Sequence, residues 1–369
     1  MRSRQSIDYI IFAATGLLLI IGLAALASAS SDLGELKFSD AYYYLKHQVF
    51  YGLSFGIIGF WIGRTLNYRV YKKIAPIFLL LSLAALILVF SPLGLTAGGA
   101  QRWIQLGPVT IQPSELLKLF FIGYLAAWLS STKRERQKSI GEGFLPFIII
   151  SGIIAALLLA QNSTSAAIIL MVASLAIYFI SGARKKYIVA IILLGIVAFG
   201  AVIMSTEYRR ERVLNFLNPF FNPEAVSKES TYQLDQALIT IGSGGFKGVG
   251  YGQSTSKNYL PERIGDSIFA IIAEEFGLIG SLAVISLFFT LVTRMFILAK
   301  RAGDQFGKLL LAGFATIIGF QTFIHIGANS GLIPLTGVSL PFISFGGTAL
   351  AVFMTMIGIT LNISKHVRR

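Results

Sequence analysis

A cluster of four charged side chains in the second half of the chain has the composition of a site for an anionic substrate. Lys257, Glu262, Arg263 and Asp266 lie within ten residues, directly before a long apolar run. A positioned carboxylate can take a proton from a substrate hydroxyl, and neighbouring cations can bind a negatively charged group. Two interpretations of Asp266 stay open on the residues alone. It is either a general base or an ordinary N-cap of the helix that follows it.

A second pair of charges lies inside an apolar run that extends from residue 114 to residue 131. Glu115 and Lys118 are three positions apart, a spacing that places them on one face of a helix. An ionisable residue inside a membrane span is costly and marks a functional site by default. The pair is therefore either a structural ion pair near the helix end or part of a polar cavity. Arg102, just before this run, is either a further member of that cavity or an interfacial residue whose charge reaches water.

The composition identifies the class of protein. Hydrophobic residues make up 55% of the 369 residues and charged residues 13%, whereas a soluble domain has about 25% charged residues. We therefore expect an integral membrane protein with a single polytopic domain, residues 1–369. The absence of cysteine excludes disulfides, zinc-thiolate sites and a catalytic cysteine. The three histidines, His47, His325 and His366, are too few and too scattered to predict a multi-histidine metal site.

Ten apolar runs have about the length of 17–25 residues that crosses a bilayer core of about 30 Å. The predicted fold class is an all-α integral membrane protein with ten transmembrane helices. One long extracytoplasmic loop, 206–265, connects helices 7 and 8. The ten runs cover residues 8–27, 47–63, 74–92, 114–131, 144–160, 164–181, 187–205, 266–293, 308–328 and 342–363.

The basic residues of the connecting segments lie mostly on one side of the predicted membrane, where 20 of the 31 Lys and Arg residues occur. The positive-inside rule predicts that this side, with both termini, is cytoplasmic. The distribution explains the net charge of +14 without a nucleic acid partner. These residues are Arg2, Arg4, Arg64, Arg69, Lys72, Lys73, Lys133, Arg134, Arg136, Lys138, Arg184, Lys185, Lys186, Arg294, Lys300, Arg301, Lys308, Lys365, Arg368 and Arg369.

The outer segment, residues 206–265, is far longer than the usual connection of about 4–6 residues. Its glycine-rich stretch Gly242–Gly252 has no G-x-x-x-x-G-K-[ST] register, so we interpret it as a compact loop with positive φ angles. We expect the outer segment to fold over the mouth of the helix bundle and to deliver Lys257, Glu262 and Arg263 beside Asp266. It would also offer a docking surface for a partner. The alternative is a disordered loop.

Three features of the later apolar runs have structural explanations. His325, alone in an apolar helix, is more typical of a hydrogen bond between helices than of a ligand. Glu274 and Glu275 either extend the polar face below Asp266 or stabilise helix packing. Segment 331–342 contains two prolines and two glycines, which predicts a broken or re-entrant turn. Such backbone is tolerated at membrane depth only where it is buried or lines a cavity.

Three long motifs resemble the SEDS family (shape, elongation, division and sporulation), which includes FtsW, RodA and SpoVE. They read AQRWIQLGPVTIQPSELLKL at 100–119, YQLDQALITIGSGGFKGVGYGQSTSKNYLPERIGDSIFAIIAEEFG at 232–277 and PLTGVSLPFISFGG at 334–347. The resemblance covers essentially the whole chain, and the last two motifs look more like the FtsW branch than the RodA branch. The chain departs from the family at 161–165, where an acidic Pro-Asp-x-Gly-Thr type motif is usual, and at His325, where Asn is usual.

The resemblance implies a peptidoglycan glycosyltransferase that polymerises lipid II at the outer face of the bacterial cytoplasmic membrane. It implies a septal role in cell division, a class B penicillin-binding transpeptidase as partner, and contacts with other division proteins. The family's catalytic Asp falls on Asp266. The implied or inferred substrate-binding residues are Arg102, Glu115, Lys118, Lys257, Glu262 and Arg263.

The chemistry of that reaction fits these residue types. Asp266 would act as base for a sugar hydroxyl, and the cations would bind the departing diphosphate of an undecaprenyl-diphosphate-linked donor. A single displacement would invert the α-linked donor to a β-linked product. A divalent cation, Mg²⁺ or Mn²⁺, could assist at the diphosphate, although the sequence shows no dedicated metal cage. No other cofactor is expected.

Other functions use some of the same features. A RodA-like polymerase would act in side-wall elongation instead of at the septum. A lipid II flippase also binds a lipid-linked anion, but it needs a polar path across the membrane, and the inner halves of these helices are nearly free of charge. A non-enzymatic division scaffold would not need the cluster around Asp266.

Overall fold

The computed structural model describes residues 7–97, 100–107, 109–131, 135–221 and 228–367. Some of the basic residues that predict the orientation lie outside the described residues, as does the middle of the outer segment at 222–227. The basic residues concerned are Arg2, Arg4, Lys133, Arg134, Arg368 and Arg369.

The described residues form thirteen α-helices, numbered here in chain order. A π-helical turn, Gln48–Leu53, joins the second helix to the third, and another, Ile140–Phe144, leads into the sixth. The helices are α1 (Tyr9–Phe38), α2 (Tyr43–His47), α3 (Ser54–Thr65), α4 (Arg69–Leu88), α5 (Pro113–Leu129), α6 (Leu145–Ala160), α7 (Thr164–Ile180), α8 (Lys185–Met204), α9 (Glu207–Phe221), α10 (Lys228–Ser243), α11 (Ile268–Arg301), α12 (Gln305–Asn329) and α13 (Gly347–Ser364).

Each of the ten predicted apolar runs overlaps a helical segment. Within the described residues, seven helical segments are long and apolar enough to cross a membrane. They are α1, α4, α6 with its preceding π-helical turn, α8, α11, α12 and α13, while α7 is apolar but has only 17 residues. The helical membrane architecture is thereby confirmed.

The segment before α5 is not helical, so the prediction of an all-α chain was wrong there. It forms a small antiparallel sheet in the order β1 (Gly94–Ala97), β2 (Ala100–Leu106) and β3 (Val109–Ile111). The β2–β3 connection is short because Leu106 pairs with Val109, and Gly107 in between has a φ of 62°. Glycine adopts this left-handed conformation without steric cost. The sheet matters for the site because β2 carries Arg102.

The outer segment is not a loop along its whole length, because it contains α9 and α10. No long apolar run occurs here, because both helices contain many charged and polar residues. On α10, Ala237 and Thr240 are fully buried. Ala237 belongs to a small buried cluster with Ala270 and Ile271 at the N-terminal end of α11. Within the outer segment, α10 is therefore packed against the bundle.

The centre of the bundle is formed by α12 and α13. In the most apolar stretch of each helix, 72% of the residues of α12 and 78% of those of α13 are buried. The corresponding share is only 6% in α8, which lies at the periphery. Leu309, Phe314 and Ile318 of α12 and Phe353 and Ile357 of α13 belong to the main hydrophobic core. Because α12 packs against α5, α7 and α11, polar side chains on α12 can reach several elements at once.

The course of α11 is interrupted at Gly277, whose φ of 64° and ψ of −161° are not helical. The glycine-rich stretch Gly242–Gly252 lies against this break. Two of its N–H groups donate to the carbonyls of Glu274 and Glu275, both at 3.0 Å, and two of its carbonyls accept from the N–H groups directly after Gly277, at 3.0 and 3.3 Å. Backbone groups freed inside a membrane protein need partners within the protein. The glycine-rich stretch supplies them.

Glycine is required where these two backbones meet. A Cβ atom at Gly248 would lie 2.1 Å from the carbonyl oxygen of Glu275, and one at Gly244 would lie 2.0 Å from that of Ala273. Positive φ angles also occur along the stretch, as the sequence predicted for a compact loop. They are found at Gly245, Gly248, Gly250 and Gly252.

We predict that Gly248→Ala strongly destabilises the protein, because the methyl group meets backbone and φ is 84°. The free energy of unfolding should fall by about 2–4 kcal/mol. Gly252→Ala should cost about 1–2 kcal/mol, because its φ is 77° but the space beside it is open. Gly242→Ala, in open space on α10 with no positive φ, is the control. Thermal unfolding in detergent measures all three, and equal midpoints for the three variants would contradict the packing described.

Candidate functional site

Asp266 lies in an irregular turn, 261–267, directly before α11. The helix begins at Ile268 and its N-cap residue is Ser267, so both the predicted helix start at 266 and the N-cap interpretation of Asp266 were wrong. The N–H groups of Gly265 and Ser267 donate to the carbonyl of Glu262 at 3.0 and 3.2 Å, which folds the chain into a turn before the helix can start. Asp266 is half-buried within this turn.

Two other elements hold the turn in place. The side chain of Asn329, the last residue of α12, donates from Nδ2 to the carbonyl of Asp266 at 2.8 Å. The irregular segment 330–346 docks on the turn as well. Ser344 Oγ donates to the carbonyl of Gly265 at 2.7 Å, and the N–H of Phe345 donates to the carbonyl of Ile264 at 2.9 Å. The backbone around Asp266 is therefore fixed from two sides.

One face of α12 carries a stripe of buried polar side chains at four-residue intervals, which is one helical turn. Gln321, His325 and Asn329 are each at most 1% exposed. Gln321 Nε2 donates to the carbonyl of Ser339 at 2.8 Å, and His325 Nδ1 lies 2.6 Å from the carbonyl of Val338. A carbonyl can only accept, so Nδ1 carries the proton. His325 thus makes a structural hydrogen bond, but to segment 330–346 and not to another helix.

Glu115 and Lys118 form a buried ion pair, as their spacing predicted. Lys118 Nζ lies 2.6 Å from Glu115 Oε1, and the side chains of Lys118 and Glu115 are 2% and 8% exposed respectively. Lys118 also donates to Gln321 Oε1 at 2.8 Å. Glu115 Oε2 is buried and has no hydrogen-bond partner among the described residues. The pair therefore joins α5 to the polar stripe of α12.

The contacts combine into one series of hydrogen bonds, which we name the polar series. It runs from the ion pair on α5, through the stripe on α12 and the carbonyls of segment 330–346, to the backbone of Asp266. The sequence singled out its two ends, but it gave no reason to select Gln321 or Asn329. The members are Glu115, Lys118, Gln321, Ser339, Val338, His325, Asn329 and Asp266.

Lys257 and Arg263 lie together in a second group, the cation cluster, which also includes Asp32 of α1. Lys257 Nζ lies 2.9 Å from Asp32 Oδ2. Arg263 Nη1 donates to the carbonyl of Lys257 at 2.9 Å and to Asn258 Oδ1 at 2.8 Å. Burial lowers the pKa of Arg263, while the charge of Asp32 opposes this effect. Asp32 was not singled out from the sequence, because nothing in its local spacing distinguishes it.

Glu262 differs from its neighbours because its side chain is exposed and its backbone has a φ of 48°. Its carbonyl closes the turn around Asp266, as described above. The described contacts thus give Glu262 a backbone role in shaping the turn. The role of Glu262 in substrate binding stays a prediction.

Arg102 reaches the short turn between α6 and α7. Its guanidinium donates to the carbonyls of Gln161, at 3.4 Å, and of Asn162. Arg209, from α9, donates to Asn162 Oδ1 and to the carbonyl of Leu159, both at 3.3 Å. Two guanidinium groups, here named the arginine pair, therefore converge on one turn. Arg209 could not be singled out from the sequence because it stands in a run of several charged residues.

Glu274 and Glu275 stabilise packing, which was one of the two roles that the sequence left open. Both side chains are 1% exposed. Glu274 accepts hydrogen bonds from the hydroxyls of Ser254 and Ser256, the second at 2.9 Å. Glu275 accepts one from the hydroxyl of Ser28 on α1. Glu274 thereby ties the end of the outer segment to α11, and Glu275 ties α11 to α1.

No group of three or more acidic or histidine side chains among the described residues is arranged to hold a metal ion. Two carboxylates of the site already form ion pairs with lysines: Asp32 pairs with Lys257, and Glu115 pairs with Lys118.

The sequence matches a protein family described as "Cell cycle protein" (FtsW, RodA, SpoVE) over residues 8–369. The chain is 34% identical over 370 residues to "Probable peptidoglycan glycosyltransferase FtsW" of Geobacter metallireducens, with 100% of this chain and 97% of the relative covered. It is also 34% identical to "Stage V sporulation protein E" of Bacillus subtilis, with 99% of each chain covered.

Solved structures share the fold. A chain described under "Structural coordination of polymerization and crosslinking by a peptidoglycan synthase complex" has a TM-score of 0.78 and 25% identity, covering 97% of both chains. The Rod shape determining protein RodA of Thermus thermophilus has a TM-score of 0.71 and 24% identity, covering 98% of both chains. The second likeness concerns the fold alone.

We predict that Lys118→Met is severely destabilising, because it leaves the buried carboxylate of Glu115 without its cation. The expected loss is about 3–5 kcal/mol, and the double variant Glu115→Gln/Lys118→Met should recover most of it. Lys138→Met is the matched control, since Lys138 pairs with Glu135 at the same spacing and at 2.7 Å but with both side chains largely exposed. Its loss should stay within about 1 kcal/mol. Unfolding in detergent measures the free energy of unfolding of each variant. Similar losses for Lys118→Met and Lys138→Met would refute the assignment of Glu115 and Lys118 as a buried ion pair.

Proposed function

The chain belongs to the FtsW, RodA and SpoVE family of cell cycle proteins, and we propose from this premise that it polymerises lipid II at the outer face of the bacterial cytoplasmic membrane. It is a peptidoglycan glycosyltransferase, and the FtsW name of its relatives supports a role in septal wall synthesis. The observation that carries the proposal for the site is the polar series, which holds Asp266 at one end and the Glu115–Lys118 pair at the other.

The proposed topology has ten transmembrane spans with both termini in the cytoplasm. The coincidence of the ten apolar runs with helical segments supports the number of spans. The basic residues between spans support the orientation. In this arrangement, the turn with Asp266, the cation cluster and the arginine pair all lie at the outer surface, where lipid-linked sugars meet.

In the proposed reaction, the Asp266 carboxylate accepts the proton of the acceptor's sugar hydroxyl. The oxygen attacks the anomeric carbon of the donor, and the bond from that carbon to the diphosphate oxygen breaks. The diphosphate leaves with the bonding electron pair, so the new linkage has the opposite anomeric configuration. A base positioned in this way contributes about 10²–10⁴-fold in rate.

The departing diphosphate gains negative charge, and fixed cations stabilise it without reorganising. We assign this role to the arginine pair and to the cation cluster. Two guanidinium groups at one turn suit paired contacts with phosphate oxygens. Lys257 is held by Asp32 and Arg263 by carbonyl groups, so both cations are already positioned before substrate arrives.

A Mg²⁺ or Mn²⁺ ion would bind chiefly to the diphosphate itself, because few protein carboxylates are available for it. It would supply further neutralisation of the leaving group. The described residues alone already provide four cationic side chains for that purpose: Arg102, Lys257, Arg263 and Arg209.

We also propose a class B penicillin-binding transpeptidase as partner. The similar chain from a peptidoglycan synthase complex supports a partner of this kind. The outer segment is the proposed docking surface, because α9 carries Arg209 to the α6–α7 turn, and Lys257 and Arg263 of the cation cluster also lie in this segment. A partner that moves the outer segment would therefore move Arg209, Lys257 and Arg263.

We predict that Asp266→Asn and Asp266→Ala abolish polymerisation while the protein remains folded. The reason is loss of the base at a half-buried turn outside the hydrophobic core, and the rate should fall at least about 100-fold. Purified protein, with and without its transpeptidase, is given labelled lipid II, and glycan ladders are read on a gel. Asp235→Asn, an exposed carboxylate of α10, serves as the control. A folded Asp266→Asn protein with near-normal ladders would remove Asp266 from the mechanism, and lipid II transport without ladders would favour a flippase.

We predict that Arg209→Met lowers kcat/KM for lipid II by roughly 10-fold or more, through loss of one charge-assisted contact with the diphosphate. Arg210→Met is the matched control, because this neighbouring side chain is half-exposed and pairs with Glu207 at 3.6 Å. The same gel assay at several lipid II concentrations gives kcat and KM for each variant. Equal kinetics for the two variants would show that Arg209 has no part in binding the substrate.

A further inference from the structure

We infer that Asn329 and His325 are positioning residues that set the place of the Asp266 carboxylate and its surroundings. This inference rests on the proposed function, because it assigns to two side chains of α12 a part in the reaction that Asp266 performs. Neither side chain needs to touch substrate. Each acts through the backbone next to the carboxylate.

Asn329 fixes the backbone of Asp266 itself. Its Nδ2 donates to the carbonyl of Asp266 at 2.8 Å and to the carbonyl of His325 at 2.9 Å, so both amide hydrogens are used. The side chain is 1% exposed, and its Oδ1 has no hydrogen-bond partner among the described residues. A side chain that merely packed two helices would not need to bind the one carbonyl that belongs to the catalytic residue. Asn329 thereby ties the turn to the rigid centre of the bundle.

His325 holds the part of segment 330–346 that lies next to the Asp266 carboxylate. Its Nδ1–H donates to the carbonyl of Val338, next to Gly337 in segment 330–346. A Cβ atom at Gly337 would lie 3.4 Å from Asp266 Oδ2, so the backbone at 337 borders the carboxylate. Gln321 holds the same segment one residue further on, at the carbonyl of Ser339. The segment cannot move away from Asp266 without breaking these two hydrogen bonds.

The expected kinetic effect follows from geometry. A displacement of about 1 Å in a reacting group can cost about 100-fold in rate. Loss of the Asn329 hydrogen bond should therefore lower kcat roughly 10- to 100-fold. The KM for lipid II should stay within about 3-fold, because the cations that bind the diphosphate are unchanged.

The test compares Asn329→Ala with Asn362→Ala in the lipid II assay and in thermal unfolding. Asn362 is a matched buried asparagine on α13 that is 3% exposed, donates to the carbonyl of Arg64 at 2.7 Å and accepts from the N–H of Tyr68 at 3.0 Å. Both variants should lower the unfolding midpoint, but only Asn329→Ala should lower kcat. A similar kcat in both would overturn the role of Asn329.

The role of His325 is tested by comparing His325→Asn with His325→Leu in the same assay. The amide nitrogen of asparagine is attached at the same position as ring Nδ1 and can donate to the Val338 carbonyl, whereas leucine cannot donate a hydrogen bond. His325→Asn should keep kcat within about 3-fold of wild type, and His325→Leu should lose roughly 10-fold or more. Equal losses in both would overturn the role of this hydrogen bond.

Gly337→Ala keeps the inference testable if Asn329→Ala does not fold. The added methyl group meets Asp266 Oδ2 only at ordinary contact distance, so the protein should fold normally. It should nevertheless lower kcat roughly 10-fold, because it fills the space beside the carboxylate. An unchanged kcat would refute the idea that segment 330–346 sets the surroundings of Asp266. If wild type makes no glycan, the proposed function fails and this inference fails with it; if wild type is active and the variants are too, only the inference fails.

Discussion

A polar group without a partner is costly inside a membrane protein, and this constraint determines how the site can be built. The proposed reaction, on an anionic, lipid-linked substrate, needs charges close to the hydrocarbon region. In this protein these charges are held by other groups of the chain. Lys118 contacts Glu115 and Gln321, and Lys257 contacts Asp32. The same pairing that makes the charges tolerable also fixes their positions, so the energetic requirement and the positional requirement are met by one set of contacts.

The constraint explains why α12 lies at the centre. A helix surrounded by protein on all sides can carry a polar stripe, because partners are available in every direction. Its stripe reaches the ion pair on α5 at one end and the turn of Asp266 at the other. The peripheral helix α8 has no such opportunity, since only 6% of the residues in its most apolar stretch are buried. Position in the bundle therefore decides which helices can carry chemistry-bearing side chains.

The sequence predicted those parts of the structure that depend on local patterns. Hydropathy located the helical segments, and the i, i+3 spacing of Glu115 and Lys118 predicted their pairing. It did not predict the partnership of Asp32 with Lys257, because the two residues are far apart in the chain and only the fold brings them together. The short strands around Arg102 and the polar helices α9 and α10 were missed because they produce no long apolar run. The end of α12 at Asn329 carried no local signal of its contact with Asp266.

Two interruptions of helical backbone flank the site, and the same constraint explains how they are tolerated. The break in α11 at Gly277 is filled by backbone of the glycine-rich stretch, which can approach closely because Gly244 and Gly248 have no Cβ atom at the points of contact. Segment 330–346 is instead held by side chains, namely those of Gln321, His325 and its own Ser344. A continuous helix would satisfy its own backbone without such partners, but it would expose only side chains to Asp266. An irregular segment brings a bare backbone, at Gly337, against the carboxylate. The cost of irregular structure inside the bundle is thus offset by polar side chains, and the result is a carboxylate bordered on one side by backbone that is held in place.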